Sequence, residues 1–123
     1  MMNHSFKLYI IIGVMASAAF TSCSRQGTAE RLVKEFVAQN AVDPDEMVTL
    51  SFGELDSTKV IRDSLILDMQ TRENPLFKKD IDYAVKTSGR MMYFVRMKFT
   101  YRNDTLQHTF YMDEALRQVI AFK

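Results

Sequence analysis

Apolar positions recur along this chain with two different periods. From Thr28 they fall every third or fourth residue, at Ala29, Leu32, Val33, Phe36 and Val37, with Glu30, Arg31, Lys34 and Glu35 between them. Spacing of this kind lays one apolar stripe along a helix. Thr28 is placed to cap its start. Asn40 and then Asp43-Pro44-Asp45 are placed to end it, because proline turns its predecessor away from helical dihedrals. Over 91–101 the period drops to two. Met91, Tyr93, Val95, Met97, Phe99 and Tyr101 occupy the odd positions, while Arg96, Lys98, Thr100 and Arg102 fill even ones. This predicts a strand with one buried face.

Asn103-Asp104 suits a tight turn, since both residues tolerate left-handed dihedrals. Pairing Arg102 with Thr105 across it sets Tyr101 opposite Leu106, Phe99 opposite His108, Met97 opposite Phe110 and Val95 opposite Met112 on an apolar face. The other face then pairs Thr100 with Gln107, Lys98 with Thr109 and Arg96 with Tyr111. A one-residue slip would invert the second strand and spoil both faces. After a turn around Asp113-Glu114-Ala115-Leu116, "QVIAFK" (118–123) supplies a further strand, and "MVTLSFGEL" (47–55) another, with Val48, Leu50 and Phe52 on one side.

Residues 56–89 carry the weakest pattern. "VIRDSLILDMQ" (60–70) fits no single period, and "NPLFKKDIDYAVK" (74–86) reads as a helix begun by Pro75, with Leu76, Ile81, Ala84 and Val85 inside. The expectation is an α+β domain: an N-terminal helix and one or two middle helices packed on one face of an antiparallel sheet of about four strands, ending in a C-terminal meander.

The first two dozen residues follow different rules. "MMNHSFK" carries a single cation, Lys7, and "LYIIIGVMASAAF" (8–20) has no charge. This is the anatomy of a secretory signal, shorter than the roughly 20 apolar residues that cross a bilayer. "FTSC" (20–23) resembles a bacterial lipobox, with Phe20 where leucine is usual. That resemblance implies cleavage before Cys23 and a partner in the membrane, reached through diacylglycerol and N-acyl groups on this cysteine. Each buried methylene of such chains contributes about 0.8 kcal/mol, and two or more chains make a stable anchor. Residues 1–22 are then a cleaved signal peptide, 23–27 the lipidated cysteine and a short tether, and 28–123 one domain. The alternative is an ordinary signal cut at Ala-x-Ala, available at 16–18, which leaves Cys23 a free thiol.

Composition narrows the picture further. Of the 123 residues, those after the signal carry fifteen basic and fifteen acidic side chains, because Lys7 departs with it. Such balance gives no reason to expect nucleic acid as a partner. With no cysteine beyond Cys23, the fold rests on its hydrophobic core. Four tether residues, "SRQG", reach about 13–14 Å at full extension and hold the domain close to the membrane.

"EFVAQNAVDPDEMVTLSFGELDS" (35–57), followed by "YFVRMKFTYRND" (93–104) and "HTFYMDEALRQVIAF" (108–122), resembles small uncharacterised lipoproteins of Bacteroidota with a cystatin-like or NTF2-like α+β domain. Glu46 stands where such relatives commonly have serine, and the hairpin turn lacks a glycine. The likeness implies a cell-envelope address. Because the acidic cluster that marks surface export in some of those lipoproteins is missing, it implies the outer membrane, facing the periplasm. It brings no catalytic residue with it.

The remaining chemistry is sparse. His108 is the one histidine after the signal, and neither a Gly-x-Ser-x-Gly elbow nor a phosphate-cradling glycine loop occurs. No metal site, cofactor or enzymatic activity is expected. His108, with Phe99, Tyr93 and Tyr101, reads either as a polar group in a small-ligand pocket between helix and sheet, or as a core-edge histidine satisfied by a backbone group or a tyrosine hydroxyl. Arg96, Lys98 and Arg102 form a basic stripe on the outer face. It would meet anionic headgroups, peptidoglycan carboxylates or an acidic partner, or be simply solvated. Asp113 and Glu114 read as loop residues that serve solubility. Together these features predict a membrane-anchored bacterial lipoprotein acting as a non-catalytic interaction or envelope-support module with an envelope protein partner. Small-ligand binding is the alternative.

Overall fold

The computed structural model describes residues 25–59, 61–83 and 91–123. The signal peptide and Cys23 lie outside the described residues. Helix α1 occupies 25–40 and so takes in Arg25, Gln26 and Gly27, which polarity alone assigns to the tether. Thr28 sits inside the helix and is not its cap. Gln26 ties this end of the helix to the sheet. Its Nε2 donates to Glu30 Oε2 at 2.9 Å and to the Gly53 carbonyl at 3.0 Å, and its Oε1 accepts from the Leu55 N–H at 2.7 Å. The first turn is thereby fastened to the segment 53–55. Ala29, Val33, Phe36 and Val37 are buried, as the three-four spacing predicts, and Leu32 is half-buried.

Five antiparallel strands form the sheet: β1 (Met47–Phe52), β2 (Asp56–Thr58), β3 (Met92–Tyr101), β4 (Asp104–Met112) and β5 (Val119–Phe122). Their order is β1-β3-β4-β5, and β2 also pairs with β3. β1 and β2 therefore share one edge of β3 and make the sheet four strands wide, with a break at 53–55. Across that break the Gly53 N–H still donates to the Arg96 carbonyl at 2.8 Å. A single 3-10 turn at Pro44–Glu46 leads into β1.

The β3–β4 hairpin differs from expectation by two residues. Tyr101 pairs with Asp104, Met97 with His108, Val95 with Phe110 and Tyr93 with Met112. The loop consists of Arg102 and Asn103, one position earlier than Asn103-Asp104, and Arg102 takes the positive φ of 48°. A slide of two leaves every side chain on its assigned face, so the apolar pattern cannot distinguish the two registers. The observed one sets the fully buried Val95 against the fully buried Phe110, and Phe94 against Tyr111 with ring centroids 5.9 Å apart.

The two helices lie on opposite faces of the sheet, which corrects the one-face arrangement. α1 covers Val95, Met97, Phe99, Phe110, Met112 and Phe122. The middle helix, α2 (Asp63–Thr71), lays Ile66 and Met69 on Met92, Tyr111, Ile120 and Ala121. The even positions of β3 are apolar at Met92 and Phe94 before they turn basic at Arg96, so one half of that outer face also needs a cover. Gln70 Nε2 adds a hydrogen bond to the Ile120 carbonyl at 3.0 Å.

No helix forms over 75–83. Asn74 instead folds the chain into a turn, its Oδ1 accepting from the Leu76 N–H at 2.9 Å and its carbonyl from the Phe77 N–H at 3.0 Å. The segment then bridges to the end of α1. The Leu76 carbonyl accepts from the Val42 N–H at 2.9 Å, and the Asn40 carbonyl from the Lys78 N–H at 2.8 Å. Lys78 Nζ reaches the Gln39 carbonyl at 3.1 Å. Carbonyls left without partners at a helix C-terminus need such donors. Ala84 and Val85 lie outside the described residues.

β1 departs too. A bulge between Thr49 and Ser51 leaves Leu50 unpaired, and Val48 and Leu50 are 56% and 53% exposed. Met47 is buried, and Thr49 turns toward the α1 side, its hydroxyl 3.8 Å from Met97 Sδ.

Candidate functional site

His108 comes from β4, opposite Met97, on the face that α1 covers. Four phenylalanines surround its ring: Phe99 at 5.2 Å between centroids, Phe122 at 5.7 Å, Phe77 at 6.0 Å and Phe110 at 6.4 Å. Its Nε2 is buried without a hydrogen-bond partner among the described residues. Burial pushes the imidazole pKa below its ordinary value, and a backbone hydrogen bond with Lys123 works the other way. Tyr83, stacked on Phe36 at 5.9 Å, has its phenol pKa raised by burial.

Of the other predicted pocket residues, Phe99 meets His108, and Tyr93 and Tyr101 do not. Phe99 is fully buried beside His108. Tyr93 pairs with Met112 at one end of β3 and Tyr101 with Asp104 at the other, about 26 Å apart along the strand. Tyr93 accepts a long hydrogen bond from Arg25 Nη1 at 3.4 Å, and Arg102 lies over the Tyr101 ring at 5.2 Å. The companions of His108 are instead Phe77, Phe110 and Phe122. Phe122 and Phe110 lay within reach of strand alternation. Phe77 did not, because its segment reads as helical.

Several clefts lie between the described residues. One of about 420 Å³ is bordered by Leu32, Phe36, Asn40, Arg117, Gln118 and Val119. One of about 490 Å³ runs along α2 at Ile61 and Leu65, one of about 460 Å³ at Val42, Pro75 and Phe77, and one of about 340 Å³ at Arg25, Tyr93 and Leu116. His108, Phe99 and Tyr101 border none of these four. Around His108 the space between α1 and the sheet is filled with aromatic rings, and the cleft of about 420 Å³ opens to one side of it, between α1 and residues 117–119. Phe36 stands 6.0 Å from Phe110 and 5.7 Å from Phe122, and Phe77 stands 4.4 Å from Phe122.

The basic stripe lies on the opposite face. Arg96 and Lys98 are exposed there, and Arg102 is exposed in the hairpin loop. Arg96 rests over the Phe94 ring at 5.5 Å. The ion pairs among the described residues are Arg31–Glu35, within α1, and Arg72–Asp68, at the end of α2, so among these residues the stripe has no carboxylate partner. Asp113 and Glu114 separate in role. Asp113 Oδ1 accepts from the Arg117 N–H at 2.7 Å and from the Gln118 N–H at 3.0 Å, so it holds the β4–β5 turn.

Among the described residues, no group of three or more His, Cys, Asp or Glu side chains is gathered that could hold a metal ion. None of their helices is long and apolar enough to cross a membrane. Compared with known protein families, curated proteins and solved structures, the chain matches none.

Proposed function

We propose that this chain is a membrane-anchored bacterial lipoprotein whose folded part is a non-catalytic interaction or envelope-support module, held on the outer membrane facing the periplasm. The tether motif Phe20-Thr21-Ser22-Cys23 supports the anchor, and two residues from Cys23 the chain is already in α1. A likeness to cystatin-like and NTF2-like domains rests on α1 laid against an antiparallel sheet, with α2 added on the far side.

The observation that carries this reading is the filled space around His108, between α1 and the sheet. Ligand carriers are concave and keep an apolar cavity open to the ligand. Here Phe77, Phe99, Phe110 and Phe122 occupy the space around His108, and the cleft beside α1 is bordered mainly by polar side chains, among them Glu35, Gln39, Asn40, Asp82, Arg117 and Gln118, so recognition falls to the surface. One feature favours the second reading, a small-ligand binder: the unpartnered His108 Nε2.

Mass spectrometry of the mature amino terminus tests the anchor. The expected result is an N-terminal Cys23 bearing fatty acyl groups, with a Cys23→Ala chain left soluble or unprocessed. An unmodified thiol on a freely released protein would overturn the proposal.

A further inference from the structure

Helix α2 covers only half of the outer face, the half at Met92, Phe94, Tyr111 and Ile120. Beyond it the even positions of β3 continue as Arg96, Lys98 and Thr100, bordered by the exposed Val48 of β1 and by Gln107 of β4. We propose that this open half-face docks an acidic protein surface of an envelope partner, away from the lipid. The orientation rests on the lipoprotein reading above.

Three observations point to carboxylates. Among the described residues Arg96 and Lys98 have no acidic partner, and both ion pairs lie elsewhere. On the half-face itself the Arg96 guanidinium lies over the Phe94 ring at 5.5 Å, whereas Arg102 lies over Tyr101, which packs against the α1-side core. Stacking fixes the plane of the fork and leaves its donating edge free for bidentate pairing with a carboxylate. Val48 and Leu50, more than half exposed, stand beside the row. Cations flanked by aliphatic side chains suit a protein surface better than a polysaccharide or a headgroup layer.

Position separates a protein from the bilayer. Arg25, in the first described turn of α1, donates to Tyr93, and Cys23 lies two positions before it, at most about 7 Å of chain away. The anchored end is therefore the Tyr93 end of β3, and Arg102 stands nine residues farther along, about 30 Å away. On the outer face α2 occupies the anchored half and rises about 10 Å above the sheet, so a flat membrane meets α2 before it reaches Lys98. A protein protrusion fits the step that remains. The free edge of β1 is a poor alternative, because the bulge at Leu50 and the break at 53–55 interrupt its hydrogen-bonding row.

Site-specific photocrosslinking in cells tests this with the full-length chain. A photoreactive residue is placed at Thr100, and at Leu65 on α2 as the control. A protein adduct is expected at Thr100, at least tenfold weaker at Leu65, with crosslinked peptides rich in Asp and Glu. It should fall at least tenfold in R96E/K98E and by an intermediate factor in the neutral R96Q/K98Q chain. A lipid or peptidoglycan adduct at Thr100, a protein adduct indifferent to these substitutions, or no adduct at all would overturn the proposal. Fractionation of the same cells reads the anchor separately. An unacylated, soluble chain that keeps the charge-dependent adduct refutes the anchor and leaves the docking face standing.

Discussion

Asp113 accepts a hydrogen bond from the main-chain N–H of Arg117 at 2.7 Å, and the same carboxylate oxygen accepts a second from Gln118 at 3.0 Å. Leu116, between them and Asp113, takes a positive φ of 53° and donates its N–H to the Asp113 carbonyl at 3.0 Å. One side chain thus closes the turn that delivers β5 to the sheet, and with it Val119 and Phe122 to the core.

Removing that carboxylate should therefore be felt in the whole fold. Asp113→Ala is expected to cost about 1.5–3 kcal/mol, the range for hydrogen bonds to a charged group. Asp113→Asn keeps an acceptor oxygen and should cost less. Glu114→Ala, on the exposed neighbour, should stay within about 0.5 kcal/mol. Urea denaturation midpoints of the three variants give the ranking. Equal midpoints for Asp113→Ala and Glu114→Ala would contradict it.

Phe77 is 3% exposed and touches the aromatic cluster from a segment without helix or long strand. Its ring lies 4.4 Å from Phe122 and 6.2 Å from Phe36. Phe77→Ala should cost about 3–5 kcal/mol through lost burial and the cavity left behind. This approaches the entire stability of many small domains. A substantial drop in thermal midpoint, or loss of cooperative unfolding, is expected, and an unchanged midpoint would mean that the segment 76–78 does not seal the core.

Phe77 also marks where the sequence stops being readable. Periodicity located α1 and β3 well, because each has one face against a core and one in water. It misassigned 74–83, where hydrogen bonds from Asn74 and to the end of α1 set the conformation and leave no periodic trace. The hairpin register was legible only modulo two, since Met97 opposite His108 and Phe99 opposite His108 bury the same faces. The apolar even positions Met92 and Phe94 were the available sign that a second helix would cover the far side. Of the pocket set, Phe99 and His108 do meet, but Tyr93 and Tyr101 face the same way from opposite ends of the strand. A shared face is not a shared site.

Arg102 holds a left-handed conformation, φ 48°, in a two-residue hairpin loop. For an L-residue with a β-carbon this conformation costs about 1–2 kcal/mol, which glycine avoids. Glycine also frees the unfolded chain, which offsets part of the gain. Arg102→Gly is expected to raise stability by up to about 1 kcal/mol, and Arg102→Asn by a smaller amount, as thermal unfolding would read. A loss of stability in both would show that the guanidinium stack on Tyr101 outweighs backbone strain.

The imidazole of His108 should make stability depend on pH in a definite direction. Desolvation holds its folded pKa below the ordinary 6.5, the Lys123 backbone bond opposing only in part. Between those two values the unfolded chain binds more protons than the folded one, so stability rises with pH through that window. The contribution is fully present above about pH 6.5. It is lost as pH falls through the folded value, because a proton then places a charge among Phe77, Phe99, Phe110 and Phe122. His108→Leu removes both the charge and the unpartnered Nε2, so its urea midpoint should equal or exceed that of the parent at pH 8. The advantage should widen toward pH 5. Imidazole proton shifts recorded by NMR across the same range supply the folded pKa directly. A value at or above 6.5, or parallel pH profiles for the two chains, would show that the imidazole is solvated and the phenylalanine cage open.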